Sequence, residues 1–299
     1  MVELAPLSIA AAGAELDRIR SAAGGTPSKP DLEAMYAALL GATAECERAP
    51  HALLATATSI AAAADPSVVD AMPPRARVAV RLLRAAAADA AWSVLVDSAT
   101  GVVPRSFRLG TSSGAARTEW VLPLLTTVEP PHVYADLPGF RDPRYGVPDS
   151  AYDVSDAVRL RCQVDEVICE PGLTLAGWAA LDLLHTGPDE QVAVIAVRGD
   201  DQVSWPAVRR RRADLVGGSR ETLRRRAWAG WSAEVAPKAL PSGGEWALWL
   251  EVSHAGLSRR ARLGRGVSEL AAAAVGAVVC DRPRTELVGA VGGWSLQRK

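Results

Sequence analysis

Between Arg209 and Trp231 the chain reads RRRRADLVGGSRETLRRRAWAGW, with two arginine runs, Arg209 to Arg212 and Arg224 to Arg226, and tryptophans close behind. Guanidinium groups placed this way can grip an anion through paired N–H donors or hold carboxylates in ion pairs. They can also stand in solvent and keep a strand edge from pairing with a stranger. A third basic group, GLSRRARL, adds Arg259, Arg260 and Arg262. From Trp205 to Arg265 there are twelve arginines and one lysine against five acids, although the whole chain carries a net charge of −1. The charge is segregated, so any steering of an anionic partner comes from a local patch and not from a global field.

Tests for catalytic chemistry return little. GTSSG (Gly110 to Gly114) spells a nucleophile elbow, but no helical run follows it, and a serine-rich loop is the plainer reading. His51, His132, His185 and His254 lack the HxxxH or HxH spacing of a metal site. Cys46, Cys162, Cys169 and Cys280 are too few and too scattered for a disulfide scaffold; they suit a reducing cytoplasm, with Cys162 and Cys169 expected as independent buried thiols. No phosphate-binding glycine motif and no Asp-x-Asp pair occurs, so no catalytic residue, cofactor or metal is predicted. Asp136 and Asp142, in DLPGFRDPRYGVPD, are a conceivable carboxylate pair, though loops favour aspartate for turn chemistry. Trp178, Trp228, Trp231, Trp246 and Trp249 lie in strand patterns and mostly fill core volume. Period-2 alternation sets Trp246 against Trp249 and Trp228 against Trp231, so one of each pair faces outward, where it can stack on a sugar ring or pack a partner.

The elements that must position these residues change at about residue 100. Before it the sequence is written in alanine, leucine and arginine, with proline punctuation. Asp31 reads as an N-cap, and Leu32, Met35, Tyr36, Leu39 and Leu40 follow at helical spacing. Leu53, Leu54, Ala57, Ile60 and Ala61 make a second stripe, and a third segment runs from Pro73-Pro74 through Val78, Leu82 and Leu83 to Trp92 and Leu95. After Phe107 alternation and turns take over. VRLRCQVD, LTLAGWAAL, QVAVIAVRG, AWAGWSAEV and EWALWLEVS read as short strands separated by EPG, TGPDE and PSGG, the grammar of an antiparallel sandwich. Mean composition, 49% hydrophobic, is that of a folded chain. The amino terminus carries Glu3 where an export signal has positive charge, and the longest apolar stretch, Leu270 to Cys280, is well short of the ~20 residues that cross a bilayer.

The order of these segments is similar to a known pattern. An L-x-L-x-G-x-A strand (Leu173 to Ala179) precedes the arginine region. After it come a W-A-G-W-x-A-x-V segment (Trp228 to Leu240), a W-x-L-x-L-x-V strand (Trp246 to Val252) and a basic G-L-x-R stretch (Gly256 to Leu263). Together they resemble the region that follows the catalytic domain in actinobacterial family 2 glycosyltransferases, itself similar to the immunoglobulin-like modules of wall teichoic acid glycosyltransferases. AMPPRARVAVRLLR (Ala71 to Arg84) resembles that family's post-catalytic helices. The resemblance implies an α+β chain: a helical region over 1–100, an irregular β subdomain or linker over 101–155, an immunoglobulin-like sandwich over 156–265, and a tail with a final strand over 266–299. It implies that the nucleotide-sugar domain is not in this sequence, so that catalysis cannot be assigned to any residue here. The role implied is accessory: oligomerisation, and holding an acceptor polymer beside a glycosyltransferase catalytic chain, in the cytoplasm or at the inner face of the membrane. For an anionic glycopolymer the expected contacts are Arg209, Arg210, Arg211, Arg212, Arg224, Arg225, Arg226, Arg259, Arg260 and Arg262, with Trp231 or Trp249 stacking. Near-neutral overall charge and the lack of RRM, KH or zinc-finger signatures weigh against nucleic acid. Three alternatives stay open: arginines that are only a solvated rim, a pure assembly module, and an enzyme built on the DLPGFRDPRYG loop.

Overall fold

A computed structural model describes residues 7–22, 24–46, 49–100, 124–169, 172–212, 227–241, 244–264, 278–281, 284–290 and 293–298. It is α+β. The chain divides into two units, residues 1–127 with 132–155, and residues 128–131 with 156–299.

The first unit contains the helices α1 (Ile9–Ala22), α2 (Lys29–Ala42), α3 (His51–Ala63), α4 (Pro66–Asp70), α5 (Pro74–Arg84) and α6 (Ala88–Thr100). In α2 the cap is Ser28, and Asp31 sits at the third helical position, returning its carboxylate to the Ser28 N–H at 3.0 Å. Asp31 is therefore the acidic half of a capping box and not the N-cap, because Lys29 and Pro30 already belong to the first turn. Leu32, Met35 and Leu39 are buried as the stripe predicts, while Tyr36 and Leu40 lie at its half-exposed margin. In α3 all five stripe residues are buried. The third segment is two helices. Ala87 N–H reaches Leu82 O and Ala86 N–H reaches Leu83 O, both at 2.9 Å, with Ala86 at φ 57°, which is a Schellman stop in a run of alanines.

Helix α5 is surrounded: Ala76, Val78, Ala79, Val80, Leu82 and Leu83 are all buried, and so is Arg77. Its four arginines are spent within the unit. Arg75 meets Asp97 at 2.6 Å, and Arg77 donates to Met72 O at 3.2 Å. Arg81 bridges Asp70 at 2.7 Å and Asp153 O at 2.5 Å, and Arg84 donates to Ala64 O. Each ties α5 to a neighbouring segment through a charge-assisted bond. The strands β1 (Thr126–Glu129) and β2 (His132–Ala135) form a two-stranded sheet.

The second unit is built from β3 (Leu160–Ile168), β4 (Leu173–Leu181), β5 (Gln191–Arg198), β6 (Asp201–Arg210), β7 (Gly230–Val235), β8 (Gly244–His254), β9 (Leu257–Arg262), β10 (Val278–Asp281), β11 (Arg284–Ala290) and β12 (Gly293–Arg298). These strands hydrogen-bond as one sheet in the order β10-β11-β12-β8-β5-β6-β7-β4-β3, with β9 joined to β8. All the pairings are antiparallel. β8 is the spine. One of its edges pairs with β5, while the other is shared, with β12 along Gly244 to Ala247 and β9 along Trp249 to His254. Trp246, Leu248, Leu250 and Val252 of β8 are buried and Ala247, Trp249, Glu251 and Ser253 are half-exposed, so the sheet has one buried and one outer face.

The strand read at LTLAGWAAL is β4, residue for residue, and QVAVIAVRG contains β5. β6 ends in the first two arginines of the first run, Arg209 and Arg210, and lies inside the sheet, paired with β5 on one side and β7 on the other. The residues of GTSSG lie outside the described ones. Replacing Ala86 by glycine should raise stability by about 1 kcal/mol, because an L side chain in the left-handed region costs roughly 1–2 kcal/mol and glycine gives part of that back as unfolded-chain entropy. A shift of the denaturation midpoint at constant slope would measure it.

Candidate functional site: the arginines of the curved sheet

Period-2 alternation divides the arginine runs into two populations. On β6 the buried face is set by Trp205, and Arg209, four residues on, falls on that same face opposite Trp231. Its side chain is 4% exposed. The guanidinium donates to Ala179 O at 2.9 Å and Ala229 O at 3.2 Å, and grips the Glu190 carboxylate, itself 3% exposed. His254 Nδ1 stands 3.1 Å from the other Glu190 oxygen. Burial pushes the Glu190 carboxyl up and the Arg209 guanidinium down, while each ion pulls the other back toward its charged form. Arg259 repeats the theme on β9. It pairs with buried Val252 and donates Nε–H to Val158 O at 3.0 Å. Both residues tie strands together and neither presents its head group to solvent as a free cation.

The outward arginines form two patches on the outer face. The first is the end of β6, where Arg210 lies on that face; it and Arg211, the next residue beyond the strand, are exposed and, among the described residues, have no acidic partner. Arg212 beside them meets Asp165 at 2.5 Å. Here the sheet is cut back into a cleft of about 180 Å³ lined by Asp165, Glu166, Gly177, Gly230, Arg210 and Arg212. The cleft arises from a register shift of β3 against β4 between Val164 and Glu166, which leaves Asp165 as the extra residue of a bulge. Two glycines in its lining let neighbouring backbones come close: a Cβ on Gly177 would lie 2.0 Å from Gln163 O, and one on Gly230 would lie 2.6 Å from Arg210 O. Ligand pockets run to roughly 300–1,000 Å³, so this space suits one small charged group and not an enclosed substrate.

The second patch is on β8 and β9. Arg260 holds Glu251 at 2.6 Å and Gln202 at 3.1 Å, and the Arg262 guanidinium stands 5.7 Å from the centre of the half-buried Trp249 ring. Register places this patch three strands, about 14 Å, from β6 and four residues, about 13 Å, back along the strand direction from Arg210. Arg260, Arg262 and Trp249 thus share an outer face with Arg210 without converging on one point. Trp231 is 1% exposed and fills core volume. Arg224 to Arg226 lie outside the described residues.

Of the other candidates, Asp142 is gripped by Arg144 at 2.5 Å, which holds its carboxyl below the ordinary value, as suits turn chemistry better than proton donation. Cys46, Cys162 and Cys169 form no disulfide with one another, and burial pushes the half-buried Cys162 thiol up to about 11. Sequence reasoning missed Glu190, His254 and Asp165. The parity from Trp205 to Arg209 is the signal that would have flagged a buried guanidinium in need of a carboxylate.

An α+β protein with a helical unit and an antiparallel sheet bearing arginines on both faces is what these observations define. No family model matches the chain, and no curated protein is similar to it. Among solved structures it is similar to S. aureus TarS, at 11% identity and a TM-score of 0.40, over 82% of this chain and 38% of that one. It is also similar to residues 217–571 of S. aureus TarS, at 10% identity and a TM-score of 0.45, over 96% of this chain and 75% of that one. The chain thus spans well under half the length of the longer TarS chain. A likeness of this degree carries no argument about activity.

The division of the arginines is testable. Arg209→Ala leaves Glu190 buried against a lost cation and should cost ~3–5 kcal/mol, whereas Arg210→Ala, one residue away, should stay within ~0.5 kcal/mol. Urea denaturation of the two variants separates them, and equal losses would show that the alternation is misassigned. Gly177→Ala drives a methyl into Gln163 O and should cost ~1–3 kcal/mol or more by the same measurement.

Proposed function

We propose that this chain is a non-catalytic accessory module of a glycosyltransferase system, binding an anionic glycopolymer along the outer face of its sheet. One observation carries the reading: Arg210 and the pair Arg260 and Arg262 stand on one face about 2 nm apart, with Arg211 exposed at the next position past the end of β6. That spacing suits a ligand that repeats its negative charge along its length, and two weak contacts on one polymer reinforce each other. Trp249 beside Arg262 offers a ring for stacking. Arg224 to Arg226 belong to the same proposal by charge and chain position. Arg209, Arg259 and Trp231 support it from within, by fixing the strands that carry the others.

The sequence resemblance set out above supports the glycosyltransferase context, a separate catalytic chain as partner, and a cytoplasmic setting at the inner face of the membrane. The immunoglobulin-like description of the β unit belongs to this proposal too, supported by antiparallel pairing throughout and by strands that bury one face each. A second reading, a pure assembly module, is favoured by Val208 and Ile168, which are 66% and 44% exposed. Exposed apolar side chains beside arginines are also what a subunit interface is made of.

Retention on an immobilised polyol-phosphate glycopolymer, with single-stranded DNA in parallel and molar mass followed by light scattering, tests both readings. Polymer binding predicts retention that exceeds that on DNA, weakens as salt rises, and falls at least about tenfold when Arg210, Arg211, Arg260 and Arg262 are all alanine. Unchanged retention in that variant overturns the site. A discrete oligomer that binds neither polymer supports assembly.

A further inference from the structure

The segment from His132 to Ser155 holds a group of side chains that the arginine face does not use. His132 and Tyr134 lie two residues apart on β2, on one side of the strand, with ring centroids 5.8 Å apart and planes at 22°. Tyr134 stacks on Phe140 at 5.5 Å, and Phe140 tilts onto Tyr152 at 5.4 Å. The four rings run from solvent to core: the His132 side chain is 51% exposed and Tyr152 is 0% exposed. The outermost ring is held in place. His132 Nδ1 lies 2.8 Å from Asp153 Oδ2, and the other Asp153 oxygen accepts from Ser155 N–H at 2.8 Å and from the Ser155 hydroxyl. The Ser155 oxygen in turn accepts Val133 N–H at 2.7 Å, so the carboxylate that fixes the imidazole is itself fixed to the strand. With Nδ1–H donated to Asp153, the neutral ring presents Nε2 outward as an acceptor.

We infer that this ladder is a stacking shelf for a neutral sugar ring, with His132 as its exposed step and His132 Nε2 accepting a ligand hydroxyl. Charge decides against other planar ligands. Residues 132–155 contain four aspartates and two arginines, an excess of negative charge that repels nucleic acid and phosphorylated polymer alike. A cationic ligand finds its place taken, because the Arg141 guanidinium already stands 4.8 Å from the Phe140 centroid and 5.6 Å from that of Tyr134, anchored to Asp149 at 2.9 Å. What remains is an exposed ring with one ring nitrogen left to accept, which matches the apolar face and a hydroxyl of a saccharide. The shelf lies in the first unit and the arginine patches in the second, so the two proposals stand on different residues.

The test is a titration of the whole chain with neutral β-linked tetrasaccharides of glucose and of N-acetylglucosamine, followed by NMR on the His132 ring at low and high salt. The inference predicts saturable binding by at least one of them with Kd of order 1 mM, insensitive to salt and weakened about tenfold in His132→Ala. Asp153→Asn, which keeps the side-chain shape but loosens the grip on Nδ1, should weaken binding less than His132→Ala, with thermal unfolding checking that both variants remain folded. Failure of both sugars to perturb the His132 ring, or full affinity in a folded His132→Ala, overturns the shelf. The variant lacking Arg210, Arg211, Arg260 and Arg262 should bind these neutral sugars normally, so loss of the polymer site and loss of the shelf read out separately.

Discussion

A guanidinium enclosed in a sheet has to find a partner for nearly every donor, and the geometry of the second unit follows from how Arg209 does so. Its carboxylate comes from Glu190, just before β5, and its carbonyl acceptors come from Ala179 on β4 and Ala229 at the entry to β7. One side chain thereby fixes segments from three parts of the chain around the strand that carries it. The desolvation that such an ion pair costs is offset only when the geometry is complete, so the pair is better understood as a device that admits one register than as a source of net stability. Arg259 does a lesser version of the same at Val158. Once the inward arginines are locked, their immediate neighbours have to point out, since successive side chains in a strand alternate.

The helical unit handles its arginines by the same rule with a different period. Arg75, Arg77, Arg81 and Arg84 surround α5, a helix buried on most of its circumference, and they reach backbone carbonyls or acids on neighbouring segments. Among the described residues, the arginines of α5 and of the sheet's inner face are therefore internal fasteners. Arg210 and Arg211 stand out by contrast because no acid answers them among the described residues.

How much of this was legible depended on the contrast in each stretch. β4 could be read to the residue and β5 to within one because turn residues bracket them. The α3 stripe was legible from its period of 3.6. The break at Ala85 to Ala87 was not, because a run of alanines gives neither periodicity nor a glycine at the stop, and the left-handed residue is Ala86. β6 was hidden by composition: Pro206 within it and an arginine run that begins at its end argue against an interior strand, yet β6 is paired on both sides. Without that strand there was no frame in which Arg209 and Arg210 could be told apart. The bulge at Asp165 and the buried carboxylate at Glu190 are products of register and packing, which a single sequence does not display.

The division of labour along one edge of β8 has an organisational consequence. Because β12 covers Gly244 to Ala247 and β9 covers Trp249 to His254, the sheet forks there, while β5 holds the other edge from Ala247 to Ser253. The fork is also clasped: Trp294 N–H reaches Leu263 O at 2.7 Å just past β9, and the side chains of Trp294 and Leu296 are buried, so the β10 to β12 meander acts as a buckle across the two branches, and releasing it would uncover core side chains together with strand edge.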